Sequence, residues 1–184
     1  MLTIFVGPKN EIVQTADGSL MRVYPMFEKE GGRLVHIQKR TDYSDIKEVE
    51  FFFVWRPLPF VAFKKKLTVE LQKAIVDFLH LYHAKGTPFS CWSFTCLYRN
   101  VHTSSELPRS WRNLWQVRRR LLKRAGDVIF LTNQDPKRFH AAVYLGWGRY
   151  LSVYGVGGDL EVSTLRDMRR DFEINEVLNV VPRR

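Results

Sequence analysis

Only two cysteines, Cys91 and Cys96, occur in the 184 residues. Five positions apart on one expected helix, they sit roughly 140° from each other around its axis, so a disulfide framework is excluded. A zinc site lacks ligands as well. No run approaches the ~20 apolar residues that span a bilayer, and the opening Met1-Leu2-Thr3-Ile4-Phe5-Val6-Gly7 has neither the basic leader nor the apolar length of a secretory signal. The expectation is a chain without a transmembrane segment or visible address, cytoplasmic or exported by a non-classical route. Internal repeats, low-complexity segments, a Gly-rich phosphate loop and an RNA-binding signature are also missing.

What is present suffices for a packed core: 45% of residues are hydrophobic and 14% aromatic. Lys and Arg number 29 against 19 acids, for a net charge of +10, a bias toward anionic partners such as nucleic acid, anionic glycan or lipid headgroups. The excess is central. Residues 68–126 carry 10 basic and 3 acidic groups, and between Arg109 and Arg124 there are seven basic residues and no acid. On a helix those seven make a basic ridge beside an apolar stripe of Trp111, Leu114, Trp115, Leu121 and Leu122, able to follow an anionic polymer. An ordinary solvated helix face is the plainer reading.

The pattern changes near residue 67. Before it, β-branched and aromatic runs at 2–6, 11–15, 20–27, 33–40, 49–55 and 60–64 alternate with turn residues such as Gly7-Pro8, Asp17-Gly18 and Gly31-Gly32, predicting a β-meander or small barrel over residues 1–66. Phe51-Phe52-Phe53-Val54-Trp55 lacks alternation, which suits a strand buried on both faces or one that faces a second subdomain. Residues 67–184 read as α+β. Thr68 caps a helix whose apolar face is Leu71, Ile75, Phe78, Leu79 and Tyr82; a second helix starts at Ser90 and ends near Asn100; a third runs over 108–124 from Pro108 at its first turn. Strands follow at 128–131, 140–145, 149–154, 160–163 and 176–181.

Cys91 follows a loop and opens the second helix. Unpaired N–H groups and the dipole of a helix N-terminus stabilise a thiolate, and the same N–H groups can hold the oxyanion formed when a carbonyl is attacked. Cys96, in mid-helix, is a packing residue. A thiol nucleophile needs a base. Of five histidines, His36 and His102 lack a partner motif and His80 and His83 end the first helix, whereas His140 opens the strand His140-Ala141-Ala142-Val143-Tyr144-Leu145-Gly146. The two alanines leave room for a helix to pack closely. A buried cysteine with an unrelated structural histidine is the plainer alternative.

The order Ser90-Cys91-Trp92-Ser93-Phe94, then Ala125-Gly126-Asp127-Val128-Ile129-Phe130, then His140 to Gly146 and a returning strand resembles the NlpC-type branch of the papain-like cysteine peptidases over about residues 68–165. The resemblance implies a papain-like core of helices packed on an antiparallel sheet, with Cys91 as nucleophile and His140 as base. Its third, base-orienting position falls on Ser152, with Tyr154 as the other candidate; an oxyanion tyrosine of the family corresponds to Tyr82. The flanks depart from it: Ser90 stands where Asp is usual, and Trp92-Ser93 where Ser-Gly is usual. A three-residue hairpin turn at Gly146 to Gly148 would put Tyr154 opposite His140 and Ser152 diagonally beside it.

The activity implied is amide hydrolysis through a thioester, without a metal or other cofactor, on a peptidoglycan peptide or a protein. By the same analogy residues 1–66 form an SH3-like wall-binding module. An injected or intracellular effector would keep the chemistry and change the substrate. The reading from a different class is a catalytically inactive basic protein that binds nucleic acid or another anionic polymer.

Overall fold

The computed structural model describes residues 1–7, 11–14, 20–23, 26–30, 33–36, 43–56, 61–85, 90–102, 111–118, 122–133, 139–154 and 160–183. The first half holds seven strands: β1 (Leu2–Val6), β2 (Glu11–Gln14), β3 (Leu20–Val23), β4 (Met26–Glu30), β5 (Arg33–His36), β6 (Val49–Arg56) and β7 (Val61–Lys65). Most strand positions follow the sequence pattern, but the expected run at 20–27 divides between β3 and β4, which pair with different strands, and the topology is not a meander. Five strands form a sheet of order β5-β4-β1-β6-β7 in which β1 and β6 pair in parallel, and β2 and β3 form a separate hairpin. Phe51 and Phe53 face the core while Phe52 is half-buried, its ring stacked on Phe5 at 5.4 Å. The strand therefore alternates: one face joins the core that continues into the second half of the chain, as a strand facing a second subdomain would, and the other is half-buried rather than buried.

Helix α1 (Val69–Lys85) begins where Thr68 accepts from the N–H of Leu71 at 3.3 Å. Helix α2 (Cys91–Arg99) packs against it. The expected long helix over 108–124 is not formed. Among its described residues only α3 (Trp111–Leu114) is helical, and the chain then enters β8 (Trp115–Val117). Trp115 is fully buried against Trp92 and Phe130, and Val117 pairs with Val180, so tertiary packing and a sheet edge override the helical spacing. With the helix goes the basic ridge. Arg109, Arg119 and Arg120 lie outside the described residues; Arg112 lies over the Trp111 ring and Lys123 donates to the Tyr150 hydroxyl at 3.0 Å.

The remaining strands are β9 (Val128–Thr132), β10 (His140–Gly146), β11 (Arg149–Val153), β12 (Leu160–Thr164) and β13 (Glu176–Pro182), with α4 (Leu165–Asp171) between the last two. They form a fully antiparallel sheet of order β12-β11-β10-β9-β13-β8. The architecture is α+β, with two larger sheets and four helices among the described residues. Helix α2 covers one face of the antiparallel sheet at β10 and β11, and α4 with Phe172 and Ile174 covers the other. The change at residue 67 separates two sheets but not two cores. Leu2, Ile4 and Phe51 belong to the same buried cluster as Ile75, Phe94, Val143 and Val162.

Candidate active site

Local chemistry fixes the start of α2. Ser90 is extended (φ −120°, ψ 171°) and its hydroxyl accepts from the N–H of Ser93 at 3.3 Å, while the Ser93 hydroxyl accepts from the N–H of Ser90 at 2.7 Å. This reciprocal cap uses both serines that depart from the family's usual flanks. Thr95 donates to the carbonyl of Cys91 at 2.7 Å, and Asn100 ends the helix in the left-handed region. Trp92 does not stand in a cleft. It is buried in an aromatic cluster with Trp115, Phe130 and Phe139, at centroid distances of 5.8 to 6.4 Å.

Cys91 occupies the first helical position, but its thiol is not activated as helix position alone would predict. Burial pushes it up to about 11, against the opposing pull of hydrogen bonding from the backbones of Ala141, Trp92 and Cys91 itself. Desolvation outweighs the helix terminus. Cys96 is a core residue, pushed up to about 12 by burial.

The Gly126-Asp127 turn that leads into β9 is a structural lock. Gly126 (φ +91°) gives its carbonyl to the Tyr98 hydroxyl at 2.9 Å and to Arg99, and a Cβ there would stand 2.8 Å from the Tyr98 oxygen. The Asp127 carboxylate accepts from the N–H of Arg124 at 2.7 Å, closing the turn. Through Tyr98 and Arg99 this turn is tied to α2 itself.

His140 begins β10 opposite Leu131 and is completely buried. Its imidazole stacks on Phe172 (4.1 Å between centroids) and lies 5.0 Å from the Tyr154 ring. Burial lowers it to about 3, so the ring is neutral. Nε2 is 3.0 Å from the Ser152 hydroxyl; among the described residues Nδ1 makes no hydrogen bond. The hairpin reaches the expected register by a different turn: Gly146 pairs with Arg149 around Trp147-Gly148, and an irregularity between Tyr144 and Gly146 leaves Val143 opposite Leu151, which carries Tyr154 across from His140 and Ser152 to its diagonal. Of the two candidates, Ser152 is the one that bonds the imidazole. Burial raises the Tyr154 hydroxyl well above its usual range.

Cys91 and His140 approach β10 from different faces. Ala141 shares the buried cluster of Cys91, whereas His140, one residue earlier on an extended strand, turns toward Tyr154 and Phe172. Cys91 reaches the strand through the backbone of Ala141, which hydrogen-bonds its thiol. The expected hydrogen bond between thiol and imidazole is not made, and His140 with Ser152 is the pair the fold brings together. Phe172 and α4 had no place in the sequence reading, although Thr164, which caps α4 by accepting from the N–H of Asp167 at 3.2 Å, is a legible start signal. The Tyr82 side chain lies outside the described residues.

Among the described residues, no group of three or more His, Cys, Asp or Glu is placed to hold a metal ion, and no helix is long and apolar enough to cross a membrane. A scan against protein-family models gives no match, and searches of the curated proteins and of the solved structures give none either.

Proposed function

We propose that the chain is a cysteine hydrolase of amide bonds, with Cys91 as nucleophile, His140 as base and Ser152 as the group that orients the base. The observation that carries this reading is at the imidazole: Nε2 lies 3.0 Å from the Ser152 hydroxyl, and Nδ1 has no hydrogen-bond partner among the described residues. A base in this arrangement needs one nitrogen fixed and the other open.

In the resting state thiol and imidazole are both neutral. Reaction therefore starts with proton transfer from the Cys91 thiol to Nδ1 of His140 as sulfur attacks the carbonyl, and it requires a rearrangement at the start of β10 that turns the imidazole to the Cys91 face and brings Nδ1 within ~3 to 4 Å of sulfur. The backbone N–H of Cys91, at the helix start, is the donor for the oxyanion. His140 then protonates the leaving amine, and water cleaves the thioester. A peptidoglycan stem peptide is the preferred substrate class, because its carboxylates complement the net charge of +10. The test is hydrolysis of purified cross-linked stem peptides, read as new free amines. Activity lost in Cys91→Ala and kept in Cys96→Ala supports the reading; no release by the wild-type protein from wall peptides or from unfolded protein refutes it.

Burial of both Cys91 and His140 favours a second reading, a catalytically silent basic protein that holds nucleic acid or another anionic polymer. It predicts salt-sensitive retention on heparin or DNA that Cys91→Ala leaves unchanged.

A further inference from the structure

Serine accepts a hydrogen bond from an imidazole but brings no charge to it, so the Ser152–His140 pair by itself is a weak support for a base that must become an imidazolium. The next strand carries a carboxyl side chain in register with this serine. The register of β11 and β12 sets Ser152 directly against Glu161. Paired residues of antiparallel strands point to the same face with Cβ atoms about 4.5–5.5 Å apart, so the Glu161 side chain enters the side of the sheet on which Ser152 meets His140. Glu161 is 8% exposed and Ser152 fully buried.

The surroundings distinguish Glu161 from the other acids there. Glu161, Asp171 and Asp167 all act on the Tyr154 hydroxyl, and Ser163 lies beside it. Arg170 engages Asp171 at 2.6 Å and Asp167 at 3.6 Å. Both of those belong to α4, whereas Glu161 is the carboxylate in register with Ser152.

We propose that Glu161 is a positioning residue for His140, acting through Ser152. Its carboxylate accepts the Ser152 hydroxyl proton, the Ser152 oxygen accepts from Nε2–H of His140, and the lone pair of Nδ1 is thereby left as the base. The purpose of this order rests on the cysteine-hydrolase reading, but the order itself is readable without turnover.

The experiment is nitrogen NMR of imidazole-labelled full-length protein in the wild type, Glu161→Leu and Glu161→Gln, with labelling of Cys91 by a substrate-like electrophile measured alongside. The wild type is expected to hold the Nε2–H tautomer. Glu161→Leu removes the acceptor, so the Ser152 hydroxyl turns to donate to Nε2 and the Nδ1–H tautomer appears. Glu161→Gln keeps an acceptor and the tautomer but loses the charge, and labelling of Cys91 falls on the order of tenfold, with Glu161→Asp restoring part of it. An unchanged tautomer in a folded Glu161→Leu protein overturns the proposal. Should that variant not fold, equal labelling in Glu161→Gln and wild type overturns it. A wild type that shows the tautomer and its response, yet never reacts at Cys91, supports the hydrogen-bond order and refutes the hydrolase reading instead.

Discussion

The ring of His140 lies nearly parallel to that of Phe172, with 15° between their planes and 4.1 Å between their centroids. This stack covers the imidazole on the side away from Cys91 and is part of the burial that holds the ring neutral. It makes His140 a group whose protonation opposes folding.

Acid stability should reveal this. The folded state holds His140 at about 3, below its ordinary 6.5, so between those values the unfolded chain binds a proton that the folded chain does not. Stability is therefore complete above about pH 6.5 and lost as pH falls toward 3, by up to roughly 5 kcal/mol from this one group. Urea denaturation across that range should show the slope, and His140→Gln should flatten it. An identical slope in the variant would mean that the imidazole is not sealed.

Helix α2 and strands β9 to β13 of the antiparallel half were legible in the sequence because their signals are local, whereas α4 and β8 were not. Ser90 and Asn100 mark the limits of α2, and the Gly146 to Gly148 turn determines which residues face His140. The stretch after Trp111 was not legible. Its apolar spacing suits a helix, and only the distant partner strand around Val180 makes Trp115 to Val117 a sheet edge. The parallel pairing of β1 with β6 is equally non-local. At the candidate site, helix position argued for an acidic thiol, but Cys91 lies under enough protein for desolvation to prevail. Residue types carry the chemistry of a site; burial depends on the whole fold.

Ser152→Ala should be costly out of proportion to its size. It leaves the buried Nε2 of His140 without a partner, which destabilises by about 1–3 kcal/mol. Ser152→Thr, which keeps the hydroxyl, should recover part of the loss. Chemical denaturation checks both, and a neutral Ser152→Ala would show that the 3.0 Å contact is not a working hydrogen bond.

Gly126→Ala tests the lock between α2 and β9. The added Cβ meets the Tyr98 hydroxyl oxygen at 2.8 Å, and the backbone there is left-handed at φ +91°. A loss of about 1–3 kcal/mol is expected, read as a drop in Tm of several degrees. Pairing the substitution with Tyr98→Phe should return less than the full loss, since the backbone strain remains.

Ser90→Ala removes one half of the reciprocal cap and should cost about 1 kcal/mol. Because the cap holds the first turn of α2, hydrogen exchange of the Ser93 amide should rise in this variant. Unchanged exchange would show that the cap does not hold the turn that carries Cys91.

The most direct measurement is the rate at which a peptide-like electrophile modifies each cysteine, followed site by site by mass spectrometry from pH 6 to 10. With both thiols pushed above 10 by burial, simple alkylation should be slow for Cys91 and Cys96 alike and should rise with pH. A probe that mimics the scissile carbonyl should instead single out Cys91 by ~100-fold or more, and His140→Gln should abolish that preference. Equal rates at the two cysteines, or a preference indifferent to His140, would contradict the assignment of Cys91 and His140 as nucleophile and base.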